Sequence, residues 1–242
     1  MMSSSPSETN RPKMRTTVTV CMIIAALGVV VWFNYYIKVR HDLLKGRLPM
    51  KGRVETDLAV WVDQNGSKRH LDELKNKVIV WSYLYTTCPQ GCSGIADEMK
   101  KLQDEFGSNP KFHLVSVSLY AEHDRPAMLK SWTEAKGYSG DNWWFLTSAG
   151  ETAADGDAIR KWMLKTFGIW ATKKDAAHIA EFPADVWDHP LVMVISDHKG
   201  NIRTPTNNDN FWHPFHPSYD NTWYPRPIRD DIRKLLEEAG ND

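Results

Sequence analysis

The chain has 242 residues and a mass of 27.8 kDa, with 42% hydrophobic and 25% charged residues. That balance excludes a disordered, collagen-like or disulfide-scaffold protein. Thirty basic residues match thirty acidic ones; Arg11, Lys13 and Arg15 face only Glu8 in the first 37, which leaves 27 basic against 29 acidic. The basic excess of a nucleic-acid binder is missing.

Residues 1–15 read as a short polar tail. Residues 16–37, Thr16 to Ile37, contain no Asp, Glu, Lys or Arg. As a helix at about 1.5 Å per residue they reach roughly 33 Å, enough for a hydrocarbon core of about 30 Å. Trp32, Tyr35 and Tyr36 gather at the far end, where amphipathic rings favour the headgroup level. A cleaved signal peptide has a shorter apolar run and a small-residue exit, so an uncleaved transmembrane anchor is predicted. Cys21 lies near the start of the run and is not placed like a lipidated cysteine. Flanking charges put Arg11, Lys13 and Arg15 on one side and Lys38, Arg40, Lys45, Arg47, Lys51 and Arg53 on the other, which by count favours a cytoplasmic domain. Large domains translocate largely regardless of such charges, and the chemistry of the cysteine pair favours an outward one.

Residues 38–55 read as a polar tether, and residues 56–242 as one domain. Its predicted elements alternate. A strand at Leu58–Asp63 meets a turn at Asn65-Gly66 and a short helical turn at Leu71/Leu74. Val78–Leu84 is a continuous apolar run of the buried-strand kind. A helix comes after it at Ser93–Phe106, with Ile95, Met99, Leu102 and Phe106 on one face. Strand Phe112–Leu119, helix Pro126–Gly137, strand Trp143–Thr147 and helix Asp157–Phe167 come next. Strand Leu191–Ser196, a turn at His198–Gly200 and a terminal helix Arg229–Ala239 complete the order. Strands alternating with helices predict an α/β fold, a central sheet with helices on both faces. Trp61, Trp81 and Trp162 fall in apolar patterns and are predicted core; Trp212 and Trp223 are candidate contact residues.

The domain owns two cysteines, Cys88 and Cys92, in Tyr85-Thr-Thr-Cys88-Pro-Gln-Gly-Cys92-Ser93, at a strand-to-helix corner. A helix N-terminus favours the thiolate and lowers a cysteine pKa. Residues four apart on a helical turn hold their Cβ atoms about 5–6 Å apart, close enough for both sulfurs to grip one ion or, with adjustment, to join as a disulfide. Two inert buried thiols or a static disulfide are the plain alternative. Adding a neutral imidazole makes a soft S₂N site for copper, and a fourth ligand would suit zinc. Of nine histidines, His41, His70, His113, His123, His178 and His198 have surface or loop surroundings. His189, in Asp188-His-Pro190 just before a strand, sits where loops near strand ends converge on one rim.

These residues resemble a known family. Tyr85-Thr-Thr-Cys88-Pro-Gln-Gly-Cys92 is similar to the Tyr-Thr-x-Cys-Pro-x-x-Cys signature of the Sco/SenC copper proteins. Asp188-His189, the apolar strand and Ser196-Asp-His-Lys-Gly200 resemble that family's Asp-His segment and its adjoining turn, and the likeness runs over roughly 55–240. It implies a thioredoxin-like fold anchored by one N-terminal helix on the outer face of a respiratory membrane. It implies copper ligation by Cys88, Cys92 and His189, and a copper-site subunit of cytochrome c oxidase, or another copper client, as partner. Two positions depart from the pattern: Ser93 replaces the family's Pro, and Ser118-Leu119 its Asp-Pro, while Asp124-Arg125-Pro126 keeps part of the family's next segment.

The expected function is a membrane-anchored copper metallochaperone in a bacterial inner membrane, with the domain on the periplasmic face. The alternative is a thiol–disulfide oxidoreductase in which Cys88 attacks and Cys92 resolves; the three-residue gap and the Asp-His pairing weigh against it. A peroxidase fits less well, because Tyr85 stands where peroxiredoxins carry Thr. The insert Phe211-Trp-His-Pro-Phe-His-Pro217 lies outside the family's pattern. His213 and His216 are further candidate ligands there, against the plainer reading of a Pro-fixed aromatic loop that packs on the domain or meets a partner.

Overall fold

The domain is organised around β4 (Val78–Leu84), whose seven residues are all buried. On one side it pairs in parallel with β5 (Phe112–Ser118), in register from Val78↔Phe112 to Leu84↔Ser118. β5 in turn pairs in parallel with β6 (Trp143–Ser148). On its other side β4 pairs antiparallel with β9 (Val192–Ser196), Ile79 opposite Ser196 and Ser82 opposite Met193. The computed structural model describes residues 11–44, 48–56, 61–89, 91–204, 213–214 and 228–241.

The sheet continues outward through β10 (Asn201–Arg203) to β1 (Met50–Arg53), and on the far side through β2 (Trp61–Val62) to β3 (Lys68–Arg69). β11 (His213–Pro214) adds to β9, with His213 opposite Met193 and Pro214 opposite Val192. A separate two-stranded ribbon, β7 (Thr172–Lys173) with β8 (Trp187–Asp188), brackets a short helix, α5 (Ala176–Glu181).

Helices cover both faces. Trp81 and Tyr83 point to one face and meet Trp162 and Phe167 of α4 (Ala153–Phe167). Ser82 points to the other, where it bonds Ser116; Ser116 accepts from the Trp143 indole. Trp143 packs on Tyr138, whose hydroxyl donates to Asp97 of α2 (Cys92–Phe106). Buried Ile95, Met99, Leu102 and Phe106 make the predicted stripe on α2. α3 (Pro126–Lys136) begins with proline at its first position and ends on Gly137 at φ +72°, in the left-handed region that a helix cap favours. The terminal helix α6 (Ile228–Gly240) lays Ile228, Ile232, Leu235 and Ala239 against the core. Trp61, Trp81 and Trp162 are all buried, as predicted.

Several boundaries, and the burial of one histidine, differ from expectation. α4 starts four residues before the predicted Asp157, because Thr152 and Asp155 cap its N-terminus reciprocally. The predicted strand Leu58–Asp63 is a strand at Trp61–Val62; residues 57–60 lie outside the described residues. Residues 50–53, expected in a polar tether, form the edge strand β1 against β10. His113, expected in surface or loop surroundings, points from β5 into the core at 2% exposure, edge-on to Trp144.

Residues 1–47 and 48–242 are two separate compact units. The first contains α1 (Arg11–Leu44), a helix of 34 residues that carries on through the first part of the expected tether. Its stretch Thr17–Arg40 is long and apolar enough to cross a membrane.

Candidate metal centre

The opposed directions of β4 and β9 build the site. β4 ends at Leu84, and the chain turns back through a Cys88 N–H to Tyr85 carbonyl bond of 3.1 Å. Because β9 is antiparallel, it begins beside that end, and the residues just before it, Asp188 to Leu191, reach the same rim. The sulfurs of Cys88 and Cys92 and a ring nitrogen of His189 all lie within 4.8 Å of one another. His189 Nε2 is 3.6 Å from Cys92 Sγ. Among the described residues this is the group that converges in this way.

Cys88 is half-buried and Cys92 is 1% exposed. The spacing predicts the pair on one helical turn. In the structure Cys92 is the first residue of α2, and Cys88 belongs to the turn before it. The expected lowering of the thiol pKa is also corrected for Cys92. Burial pushes this thiol well above its ordinary value, and the neighbouring Cys88 adds to the rise. Desolvation outweighs the helix end because the sulfur has no water to stabilise its charge.

Gly91 makes the approach possible. Its φ of +137° is left-handed, and a Cβ there would stand 2.7 Å from Leu191 Cδ1. The residue before Cys92 thus touches the loop carrying His189. A side chain at 91 would wedge the two apart.

The imidazole is oriented by its surroundings. His189 Nδ1 is 3.1 Å from the Pro190 carbonyl oxygen, so an Nδ1–H tautomer leaves the Nε2 lone pair facing Cys92. The Tyr85 ring stands edge-on to His189, centroids 5.9 Å apart. Its hydroxyl donates to Asp185 and to the Trp187 carbonyl, both at 3.3 Å. Asp185 also accepts from Lys174 at 2.5 Å and from His178 at 2.9 Å, fixing the β7–β8 ribbon that leads into His189. Burial raises the Tyr85 phenol pKa, and the Cys88 charge adds to it.

On the other flank Asp124 has no exposed surface and binds Thr86, two residues after Leu84. Sequence reasoning noted Asp124 without giving it a role, used Tyr85 only to argue against a peroxidase, and did not single out Asp185. The signal for Asp124 was faint: an acidic residue two before the Pro that opens a helix, flanked by His123 and Arg125. Asp188, paired with His189 in the sequence, is exposed on β8 opposite Thr172.

His123 stacks on Tyr120 and bonds Asp124. The backbone of His213 is paired in β11; its side chain, and all of His216, Trp212 and Trp223, lie outside the described residues. An apolar groove of ≈ 440 Å³ beside Pro89, with Phe182, Pro183 and Ala184, borders the Cys88 turn. A larger cavity of ≈ 860 Å³ near Ile79 and Ser196 includes none of the three converging side chains.

The donor set fits a soft ion. An ion with sulfur bonds of about 2.3 Å and a nitrogen bond of about 2.0 Å spaces its ligand atoms by roughly 3.5–4 Å, so small side-chain shifts suffice here. Two thiolates and an imidazole match the preferences of copper better than those of magnesium, calcium or manganese.

A mixed sheet clad by helices on both faces, with a dithiol at a strand-to-helix corner, defines a thioredoxin-like protein with an imidazole brought to its dithiol. The chain belongs to the SCO1/SenC family, whose pattern matches residues 60–210. It is 28% identical over 153 residues to the SCO1 protein homolog of Bacillus subtilis (strain 168), covering 62% of this chain and 77% of that protein. The solved structure of BsSco, described as a member of the Sco family of cytochrome c oxidase assembly proteins with a disulfide switch, is similar at a TM-score of 0.58. Identity there is 21%, over 80% of this chain and 99% of that one. Bradyrhizobium japonicum ScoI, solved with copper bound, has a TM-score of 0.53 at 18% identity, covering 74% of this chain and 96% of its own. These structural likenesses establish the fold.

Proposed function

We propose that this protein is a membrane-anchored copper metallochaperone that assists assembly of the copper site of a respiratory cytochrome c oxidase. The observation that carries the reading is the convergence of Cys88, Cys92 and His189 within 4.8 Å. Membership of the SCO1/SenC family supports it, as do a relative solved with copper and another described as an oxidase assembly protein. Copper is the cargo: the sulfurs retain Cu(I), and the imidazole completes the set for Cu(II). Ligands must lose their protons to bind, so loading releases protons and weakens in acid. The apolar stretch of α1 supplies the anchor, in a bacterial inner membrane with the domain on the periplasmic face, where a dithiol can be stored oxidised.

The test uses the full chain in detergent, reduced, titrated with Cu(I) and Cu(II). One ion per chain and a thiolate-to-Cu(II) absorption band are expected. His189→Ala should lose or recolour the band, and Cys88→Ser should abolish it. A band untouched by His189→Ala would remove that residue from the ligand set.

A second reading, thiol–disulfide oxidoreductase, is favoured by one asymmetry: Cys88 is half-exposed and Cys92 buried, which suits an attacking and a resolving thiol. Copper-free reduction of a protein disulfide, with Cys88 and Cys92 giving up two electrons and two protons as they join, would favour it over the first.

A further inference from the structure

Asp124 has no exposed surface, and its carboxylate accepts four hydrogen bonds. They come from Thr86 N–H at 2.9 Å, Thr86 Oγ1 at 2.5 Å, Ser118 Oγ at 2.7 Å and His123 Nδ1 at 2.9 Å. These fill about all the acceptor sites a carboxylate has. No Lys or Arg pairs with it among the described residues; the neighbouring Arg125 guanidinium instead donates to the carbonyls of Ala121, Ser148 and Gly150. A buried carboxylate with no Lys or Arg paired with it is costly unless its hydrogen bonds are good. Here two of the four go to one residue, Thr86.

Thr86 is the second residue of the turn closed by the Cys88 N–H to Tyr85 carbonyl bond. Fixing both its amide and its hydroxyl fixes the direction in which that turn delivers Cys88. The grip is itself held rigid. The amides of His123 and Asp124 both donate to the Tyr120 carbonyl, Arg125 pins the same turn to the end of β6, and Pro126 starts α3 directly after.

We infer that Asp124 is a positioning residue: by holding Thr86 it keeps the Cys88 sulfur facing Cys92 and His189. It acts through the turn and does not bind the ion. The inference deepens the copper reading and rests on it for one of its two readouts; the other, the dithiol–disulfide equilibrium, needs no metal.

The full chain in detergent is compared as wild type, Asp124→Ala, Asp124→Asn and Thr86→Val. Asn has the same shape, and its amide can donate to a rotated Thr86 hydroxyl and to His123 in its other tautomer, so it preserves the hold while removing the charge. Cu(I) affinity is measured against a chromophoric chelator, and the dithiol–disulfide equilibrium in thiol redox buffers. Asp124→Ala should bind Cu(I) about tenfold or more weakly, the usual scale for residues that orient ligands. It should also move the redox equilibrium constant threefold or more. Asp124→Asn should stay within twofold of wild type in both, and Thr86→Val should fall between. Asp124→Ala within twofold of wild type in both readouts overturns the inference. So does Asp124→Asn as impaired as Asp124→Ala, because charge rather than hold would then be at work. If Asp124→Ala does not fold, Thr86→Val decides: no change in either readout overturns. A wild type that binds no copper defeats the copper reading, and the redox readout still decides the role of Asp124.

Discussion

The imidazole Nε2 of His189 lies 3.6 Å from the sulfur of Cys92, although 97 positions separate the two in the chain. The meeting is a consequence of strand direction. β4 delivers the cysteine turn at its end, and antiparallel β9 starts there. A parallel β9 would have left His189 at the other edge of the sheet.

Gly91 is the tightest point between the two halves of the site. Gly91→Ala should lower unfolding stability by about 1–3 kcal/mol, the scale of a side chain forced into left-handed backbone, with the clash on Leu191 included. It should also weaken copper binding, by pushing the His189 loop outward. Urea denaturation of residues 48–242, with a copper titration beside it, checks both; Gly91→Ala with wild-type stability would show that the contact relaxes freely.

The buried Cys92 thiol gives the reduced, metal-free domain a pH dependence in alkali. Its folded pKa is raised, by burial first and by Cys88 second, so the folded state keeps a proton that the unfolded chain loses. Stability is therefore full below the unfolded thiol pKa of about 8.5 and falls as pH climbs above it, by up to about 1.4 kcal/mol per unit. Cys92→Ala should flatten the slope between about pH 8.5 and 10. Above that the raised phenol of buried Tyr83 takes over. Equal slopes in the two proteins would count against a buried neutral thiol.

His113 acts at the opposite end of the scale. Burial, then the charges of Lys77 and Arg69, hold its pKa down to about 3. The unfolded chain binds a proton there that the folded chain refuses, so this contribution is present above about pH 6.5 and is lost as pH falls toward the folded value, by up to about 1.4 kcal/mol per unit. His113→Leu removes two ring nitrogens that have no hydrogen-bond partner. It should stabilise the domain between about pH 4 and 6 relative to wild type. Chemical denaturation at pH 4.5 and 7 measures the difference.

Tyr85 separates ring from hydroxyl. Tyr85→Phe deletes the bonds to Asp185 and Trp187 but keeps the ring against His189. It should cost about 1 kcal/mol of stability and leave the copper absorption unchanged. Tyr85→Leu removes the edge-on contact and should shift the band. A shifted band in Tyr85→Phe would instead place the hydroxyl network in control of the imidazole.

Sequence patterning made the long elements legible where burial is periodic or continuous. Val78–Leu84 shows because every residue is apolar or small, and α2 because Ile95, Met99, Leu102 and Phe106 repeat on one face. The cysteine corner was visible for the same reason, since it is bounded by both. Two-residue strands such as β2 and β8 are too short to show a period, and β1 is polar because it lies at an edge. The surroundings of the site were harder to see. Asp124 and Asp185 are hydrophilic residues that are buried because tertiary partners satisfy them, and spacing along a chain carries no record of such partners. His113 misled for the same reason: a histidine in an alternating strand has the same pattern whichever face it takes.

The two sulfurs come from one five-residue stretch, whereas the nitrogen arrives from a loop distant in sequence. A denatured chain therefore still presents a local bidentate chelate. An ion that binds both states stabilises the fold only by the difference between them. Loading should raise the melting point by the share of the imidazole and of the preorganised pocket, well below the full association energy.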